Sequence, residues 1–199
     1  MNPRVEPLPP EQWDGFLARV VEGTGPYNVF TTLARHPALF QAWIGFGAAL
    51  LYGTLPARDR ELAVLRTAHN RGSAYEWAQH VRLAREAGLA EAEIEAVRGN
   101  GHGHGWGAGD RLVLDVADEM HRSGDVTDET WEALCARYDE PGRIELVMLV
   151  AHYDMLAVVL TTLRVSLEDA GTALTGAGDP PDPPAGSSGR PCSPEATAK

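Results

Sequence analysis

Apolar residues recur every three or four positions along most of the chain, and no stretch alternates strictly between apolar and polar residues. This spacing is typical of amphipathic helices and not of strands. Gly, Pro and helix-capping residues separate the apolar segments. The predicted helices span residues 10–22, 28–35, 37–51, 56–71, 73–87, 92–98, 110–121, 127–138 and 143–167. The sequence therefore predicts an all-α helical bundle.

Two of these helices are apolar on nearly every side. We expect residues 37–51 to be buried on most sides, and residues 143–167 to lie at the centre, at a subunit interface, or both. Glycines interrupt the long apolar stretch 40–55, so we expect no run of the ~20 residues that a membrane-spanning helix needs.

The last 25 residues, 175–199, contain six prolines and four glycines but no Val, Ile, Leu or aromatic residue. Such a segment cannot offset its ordering entropy by burying apolar surface. We therefore expect residues 1–174 to form one helical domain and residues 175–199 to be a disordered tail.

The formal net charge of -11 argues against nucleic acid as a partner, because phosphate binding requires Lys and Arg. The sole lysine is Lys199, so no folded lysine is expected to anchor pyridoxal phosphate or a phosphate loop. Cys135 and Cys192 are too few for a disulfide framework, and we expect Cys135 to be buried. No apolar leader is visible at the N-terminus, and the expected compartment is the cytoplasm.

The strongest candidate site combines Glu61, Glu76 and His80. Glu76 and His80 are four residues apart on one predicted helix, so their side chains can hydrogen-bond on the same face. Glu61 reaches the same place if its helix packs antiparallel across the turn near Gly72. A carboxylate beside an imidazole is a proton-transfer device near neutral pH.

Structural interpretations of the same residues stay open. Ser73 and Glu76 also fit a capping box, which would use the glutamate to begin the helix. His80 could be a satisfied core histidine, and Glu61 could pair at the surface with Arg58 or Arg66.

The segment LPARDRELAVLRTAHNRGSAYEWAQHVRLAREAGL, followed by GDRLVLDVADEM, TDETWEAL and ELVMLVAHYDML, resembles the carboxymuconolactone decarboxylase family, which includes the alkylhydroperoxidase D proteins. The resemblance covers about residues 10–170 and implies their helical fold. Its most specific part is R-E-L before one helix and Y-E-W-x-x-H in the next.

In the peroxidase branch of this family, two cysteines spaced C-x-x-C do the redox work. The resemblance places Ser73 and Glu76 at those two positions, His80 at the family histidine and Glu61 at its upstream glutamate. A chain without these thiols cannot reduce peroxide through disulfide exchange.

The decarboxylase branch implies cofactor-free loss of CO2 from a carboxylated unsaturated lactone, with His80, Glu76 and Glu61 as catalytic residues. Expected substrate contacts come from Ser73 at the helix N-terminus, from Arg66 as counter-charge, and from three aromatic residues, Tyr75, Trp77 and Trp106. Arg58 and Arg60 are alternatives for the counter-charge.

His102 and His104 lie in a glycine-rich loop, and we favour exposed histidines over a metal site because no third ligand is evident. His152 and Tyr153 are expected in the core. Alternatives to the lyase are an isomerase, dehydratase or cyclase of secondary metabolism on the same fold, and a non-catalytic binding or assembly protein. The resemblance also implies a homo-oligomer.

Overall fold

The computed structural model describes residues 2–99 and 105–168, which form helices joined by short connections and contain no strand. The prediction of an all-α fold is confirmed. After a 3-10 turn at Pro10–Gln12, the α-helices are α1 (Gly15–Thr24), α2 (Asn28–Leu33), α3 (Pro37–Leu51), α4 (Ala57–Arg71), α5 (Ala74–Glu86), α6 (Glu91–Val97), α7 (Ala108–Ser123), α8 (Asp128–Arg137) and α9 (Glu140–Leu163). The predicted tail and the loop containing His102 and His104 lie outside the described residues.

Two predicted helix ends were wrong. The first helix begins at Gly15 and not at Pro10, because the Asp14 carboxylate accepts hydrogen bonds from the first backbone N–H groups of α1. The last helix ends at Leu163, four residues earlier than predicted, where Arg164 takes a left-handed conformation.

The turn between α4 and α5 sets the position of the candidate site. Gly72 has a φ of 64°, in the left-handed region where a glycine ends a helix at little cost. Ser73 follows at once, and its Oγ accepts the backbone N–H of Glu76 to begin α5. The chain therefore reverses within two residues, and α4 and α5 pack against each other.

Helix α4 is the centre of the bundle and packs against α5, α7 and α9. The main hydrophobic core surrounds it, with Leu62 and Leu65 fully buried. Three charged residues of α4 are buried as well, namely Asp59, Glu61 and Arg66. Because buried charges are costly without partners, each of them has to be matched from a neighbouring helix or residue.

Helix α3 is less buried than its composition suggests, which corrects our expectation. Only Phe40 and Leu50 are buried on it, whereas Leu39 is 63% exposed and Phe46 is 38% exposed. The pattern of apolar residues was right for a helix but did not show that the described chain leaves one apolar side uncovered.

Helix α9 is long and apolar enough to cross a membrane by length and composition, with a mean hydropathy of 1.9 in its most apolar window. This corrects the expectation that no run reaches that length. Core helices of soluble proteins can be equally long and apolar. Here α9 buries four apolar residues inside the bundle, namely Leu146, Leu149, Val150 and Leu160.

Arg66 holds three parts of the bundle together. Its guanidinium donates to both Asp118 oxygens, at 2.6 and 2.8 Å, and to the backbone carbonyls of Val97 and Gly99. These contacts join α4 to α7 and to the end of α6. Arg66 was predicted as a substrate contact, but all of its observed hydrogen bonds serve the fold.

We predict that Arg66→Met lowers the free energy of unfolding by about 3–5 kcal/mol, because the partly buried Asp118 carboxylate and two backbone carbonyls lose the hydrogen bonds that Arg66 donates. Arg66→Lys should recover only part of this loss, since an ammonium cannot reproduce the planar fork. Urea denaturation measures both effects. The control Arg82→Met removes an exposed pair with Glu86 and should change stability by under about 1 kcal/mol. Unchanged stability in Arg66→Met would restore Arg66 as a candidate substrate residue.

Candidate functional site

A buried hydrogen bond joins α4 to α5. His80 Nδ1 donates to Glu61 Oε2 at 2.8 Å, Glu61 is fully buried and His80 is 7% exposed. With Nδ1 bound in this way, His80 Nε2 is the nitrogen left to exchange a proton with a ligand. The predicted meeting of Glu61 and His80 across the α4–α5 turn is therefore present.

The predicted hydrogen bond between Glu76 and His80 is absent, which is a correction. Glu76 is 2% exposed, and neither carboxyl oxygen has a hydrogen-bond partner in the described part of the chain. The capping box is only half formed, because the Ser73 backbone N–H donates to Ala68 and not to Glu76. Helix capping thus uses Ser73 and leaves the Glu76 carboxyl for another purpose.

The two buried glutamates are pushed toward opposite protonation states. Burial favours the neutral form of Glu61, but hydrogen bonds from His80 and Arg60 outweigh it, so the pKa of Glu61 lies below its ordinary value. Burial without such partners raises the pKa of Glu76 to about 8. At neutral pH, Glu61 is a carboxylate and most of Glu76 is a carboxylic acid.

Arg60, one of the two alternatives for the counter-charge, lies beside Glu61. Its Nε donates to Glu61 Oε1 at 3.0 Å, so both Glu61 oxygens are satisfied, one by Arg60 and one by His80. No hydrogen bond to a described residue occupies its two terminal nitrogens. Arg58, the other alternative, is bound to Glu93 and Asp110.

Tyr153 on α9 packs against the core, as expected, and also borders the cluster. Its ring lies edge-on to His80 with the ring centroids 4.8 Å apart. Burial, together with the nearby negative charge of Glu61, raises the pKa of its phenol well above the ordinary value. The only signal in the sequence was a polar aromatic pair, His152 and Tyr153, within an apolar run.

Two aromatic residues predicted to contact substrate are occupied elsewhere. The Tyr75 hydroxyl accepts the Val29 backbone N–H and donates to Glu168 at 2.6 Å, which ties α2 and the end of the described chain to α5. The Trp77 ring lies under the Arg98 guanidinium at 3.9 Å and thus faces α6. Ser73 is buried at the α5 N-terminus and lies next to the site through Glu76.

Trp106 is also buried in the main core, where it lines one end of a groove of about 690 Å³ between α7 and α8. The residues lining this groove do not include Glu61, Glu76 or His80. The groove that Trp106 lines is therefore distinct from the acid–base cluster.

Neither a metal nor a thiol site is evident in residues 2–99 and 105–168. No group of three His, Cys, Asp or Glu side chains there is arranged to hold a metal ion. Cys135 is exposed on α8, which corrects the expectation that it is buried, and it is not among the residues that contact His80.

The sequence model of the carboxymuconolactone decarboxylase family matches residues 37–119, which include Glu61, Ser73, Glu76 and His80. The resemblance to this family is therefore confirmed over residues 37–119. A comparison with curated proteins gave no match.

Solved structures extend the likeness of fold beyond that segment. A peroxidase-related protein with an alkylhydroperoxidase AhpD core from Ralstonia eutropha has a TM-score of 0.71 at 22% identity, covering 85% of this chain and 95% of its own. A peroxidase-related protein from a Silicibacter species has a TM-score of 0.70 at 18% identity, covering 85% and 91%. The debrominase Bmp8, in complex with 2,3,4-tribromopyrrole, has a TM-score of 0.69 at 18% identity, covering 84% and 93%. The AhpD-like helical fold is confirmed.

We predict that Glu76 makes the protein less stable as the pH rises from about 4.5 to 8. The folded chain keeps the Glu76 proton to about pH 8, whereas the unfolded chain loses it near the ordinary value of 4.5. The folded state therefore binds more protons in this window, and the free energy of unfolding falls with pH. Glu76→Gln should remove this loss, raising stability at pH 8.5 by roughly 3 to 5 kcal/mol while changing it little at pH 4.5.

Urea denaturation across this pH range measures the effect. Glu86→Gln, which neutralises an exposed glutamate of the same helix, controls for the loss of one charge. Equal shifts in the two variants would contradict a neutral buried Glu76.

Proposed function

We propose that the protein is a cofactor-independent, decarboxylase-like lyase that acts on a small carboxylated lactone or a related enolisable carbonyl compound. The observation that carries this proposal is the opposite shift of two buried carboxyl pKa values beside one histidine. Pairs of titratable groups driven apart in this way mark the acid and base of proton-transfer enzymes.

The charges of the site support an anionic substrate. Glu61 is neutralised by Arg60 and His80, and Glu76 is mostly uncharged at neutral pH. The two acidic side chains therefore present little net negative charge to a carboxylate. The positive end of the α5 dipole, near Ser73, adds to this preference.

In the proposed reaction, the bond between the substrate carbon and its carboxylate breaks and CO2 leaves. The electron pair of that bond passes into the conjugated carbonyl and forms an enolate, which the Glu76 O–H can stabilise by donating a hydrogen bond. His80, protonated on both nitrogens, then gives its Nε2 proton to carbon, and solvent restores it. Glu61 stabilises the imidazolium and fixes its orientation.

The same acid–base set would serve an isomerase, dehydratase or cyclase acting on an enolisable substrate, and this remains our second candidate. One of the similar structures is that of a debrominase, which supports a catalytic role other than peroxide reduction on this fold. Thiol peroxidase activity is disfavoured because Ser73 and Glu76 stand where the resemblance places the two thiols.

We predict that the purified protein releases CO2 from γ-carboxymuconolactone. His80→Ala should lower kcat/KM by at least about 100-fold because it removes the proton donor, and Glu76→Gln should lower it by at least about 100-fold because an amide N–H stabilises an enolate less than a carboxylic acid does. The rate should fall as the pH rises through about 8, where Glu76 ionises. His69→Phe, which changes a histidine outside the cluster, is the control.

Two results would argue against this proposal. Turnover that survives both substitutions would remove His80 and Glu76 from the reaction. If no CO2 is released, deuterium uptake from D2O into the lactone would favour the second candidate, and no exchange would favour a non-catalytic protein.

We also propose that the chain self-associates through an apolar stripe on α9. Ile144, Met148, Met155 and Val158 are each more than 40% exposed, at intervals of four, seven and three residues. This is the heptad spacing by which one helix packs along another copy of itself. Exposed Phe46 on the neighbouring α3 extends the apolar surface.

We predict that Met148→Glu with Met155→Lys converts the oligomer to monomers, because charges would enter a dry helix–helix contact. Sedimentation velocity measures the change. Glu132→Lys, a substitution on the exposed side of α8, should leave the assembly unchanged. A wild-type monomer at micromolar concentration would rule out this interface.

A further inference from the structure

A row of aromatic rings leads away from the acid–base cluster toward α3. It runs from His80 to Tyr153, with centroids 4.8 Å apart, and from Tyr153 to His152, with centroids 5.2 Å apart. His152 then stacks on Trp43 at 6.2 Å and meets the edge of Phe46 at 5.1 Å. These steps keep the His80 and His152 rings within about 10 Å of each other.

The far end of this row holds polar atoms that the fold does not use. His152 is 5% exposed, and its Nδ1 has no hydrogen-bond partner among the described residues. The Nε1 of Trp43, the ring stacked on it, is also buried without a partner. Buried polar atoms in native proteins are nearly always bonded, and an unbonded pair in contact with a reactive cluster points to a ligand.

The His152 side chain is neutral under ordinary conditions, because burial lowers its pKa to about 4. A neutral imidazole carries one N–H donor and one acceptor, and the Trp43 indole is a donor only. This end therefore suits an uncharged oxygen, such as a carbonyl or lactone oxygen, and not a second carboxylate.

Gly47 of α3 lies against the second ring nitrogen of His152. A Cβ at this position would lie 3.9 Å from His152 Nε2, so a side chain larger than alanine would pack over that edge of the ring. The glycine therefore leaves this edge without a side chain from position 47.

We propose that His152, with Trp43 Nε1, binds the uncharged carbonyl or lactone oxygen of the substrate, while Arg60 and His80 receive its carboxylate. This inference rests on the proposed function and adds a binding role for α3 and α9. It makes the substrate bifunctional, with a carboxylate at one end of the aromatic row and a neutral oxygen at the other.

The test uses His152→Phe, which keeps a flat ring against Trp43, Phe46 and Tyr153 but removes both nitrogens. If the nitrogens serve a ligand, this variant should unfold at the same temperature as the wild type or higher, because an unpaired buried polar atom has been deleted. Its KM for γ-carboxymuconolactone should rise at least about 10-fold, with a smaller change in kcat. His152→Asn, whose amide can replace Nδ1, should recover part of the KM.

Binding is measured separately from turnover. Calorimetric titration of γ-carboxymuconolactone into His80→Ala, with and without His152→Phe, should show about 10-fold weaker binding in the double variant. His69→Phe in the His80→Ala background is the control, since it makes the same exchange at an exposed histidine outside the cluster, and it should bind the lactone like His80→Ala alone.

Two outcomes would overturn the role of His152 alone. One is wild-type turnover with an unchanged KM in His152→Phe. The other is a melting temperature lowered by more than about 5 °C in that variant, which would mean that the ring nitrogens hold the fold together. If the lactone neither binds nor turns over in the wild type, the proposed substrate class fails and the binding role falls with it.

Discussion

The structure of the site depends on one buried carboxylate, Glu61, placed at the centre of the bundle on α4. Burying an isolated ionised carboxylate costs several kcal/mol, so the fold has to provide partners for it. Arg60 satisfies one oxygen from the same helix, and His80 satisfies the other from α5. This second contact is possible because Gly72 reverses the chain and sets α4 against α5.

Burial in the same part of the core favours the protonated form of Glu76. It lies on α5 near His80 in sequence, yet it receives no hydrogen bond and stays largely protonated. A charged Glu76 would be a buried anion without a partner and would raise the free energy of the folded state. The arrangement therefore holds one carboxyl as an anion and one as an acid, which proton transfer in both directions requires.

The sequence predicted the helices well because their ends are encoded locally. Gly72 and Ser73, Pro37, and Thr127 with Thr130 each mark a boundary that the structure retains. Interactions between helices were harder to predict. The spacing of Glu76 and His80 allowed a hydrogen bond between them. In the structure, however, the His80 imidazole is hydrogen-bonded to Glu61 of another helix. Arg66 was predicted to contact substrate, and nothing local showed that Asp118 and two backbone carbonyls would accept its hydrogen bonds instead.

The wrong expectation for α3 and the missed contact of Tyr153 with His80 have a shared cause. An apolar segment predicts that its surface will be covered but does not show by which residues. We therefore expected α3 to be buried on most sides, although one of its sides is exposed to solvent in the described part of the chain. Likewise, the apolar sequence of α9 gave no indication that its two polar rings, His152 and Tyr153, form a row of ring contacts with His80. Contacts of this kind arise from the relative rotation of helices, which a single sequence does not specify.

The acid–base cluster can be compared with the corresponding residues of the peroxidase branch, to which the sequence is similar. In that branch the start of the corresponding helix presents two thiols, and electrons move through them. The resemblance places Ser73 and Glu76 at the positions of these thiols, and in this structure Ser73 caps a helix while Glu76 is a buried acid. It places Glu61 and His80, which are hydrogen-bonded here, at the positions of the family glutamate and histidine. A carboxylic acid in place of a thiol removes the redox couple but leaves a proton donor. In the function that we propose, the proton goes to a substrate carbon, and bond cleavage in the substrate takes the place of electron transfer through the protein.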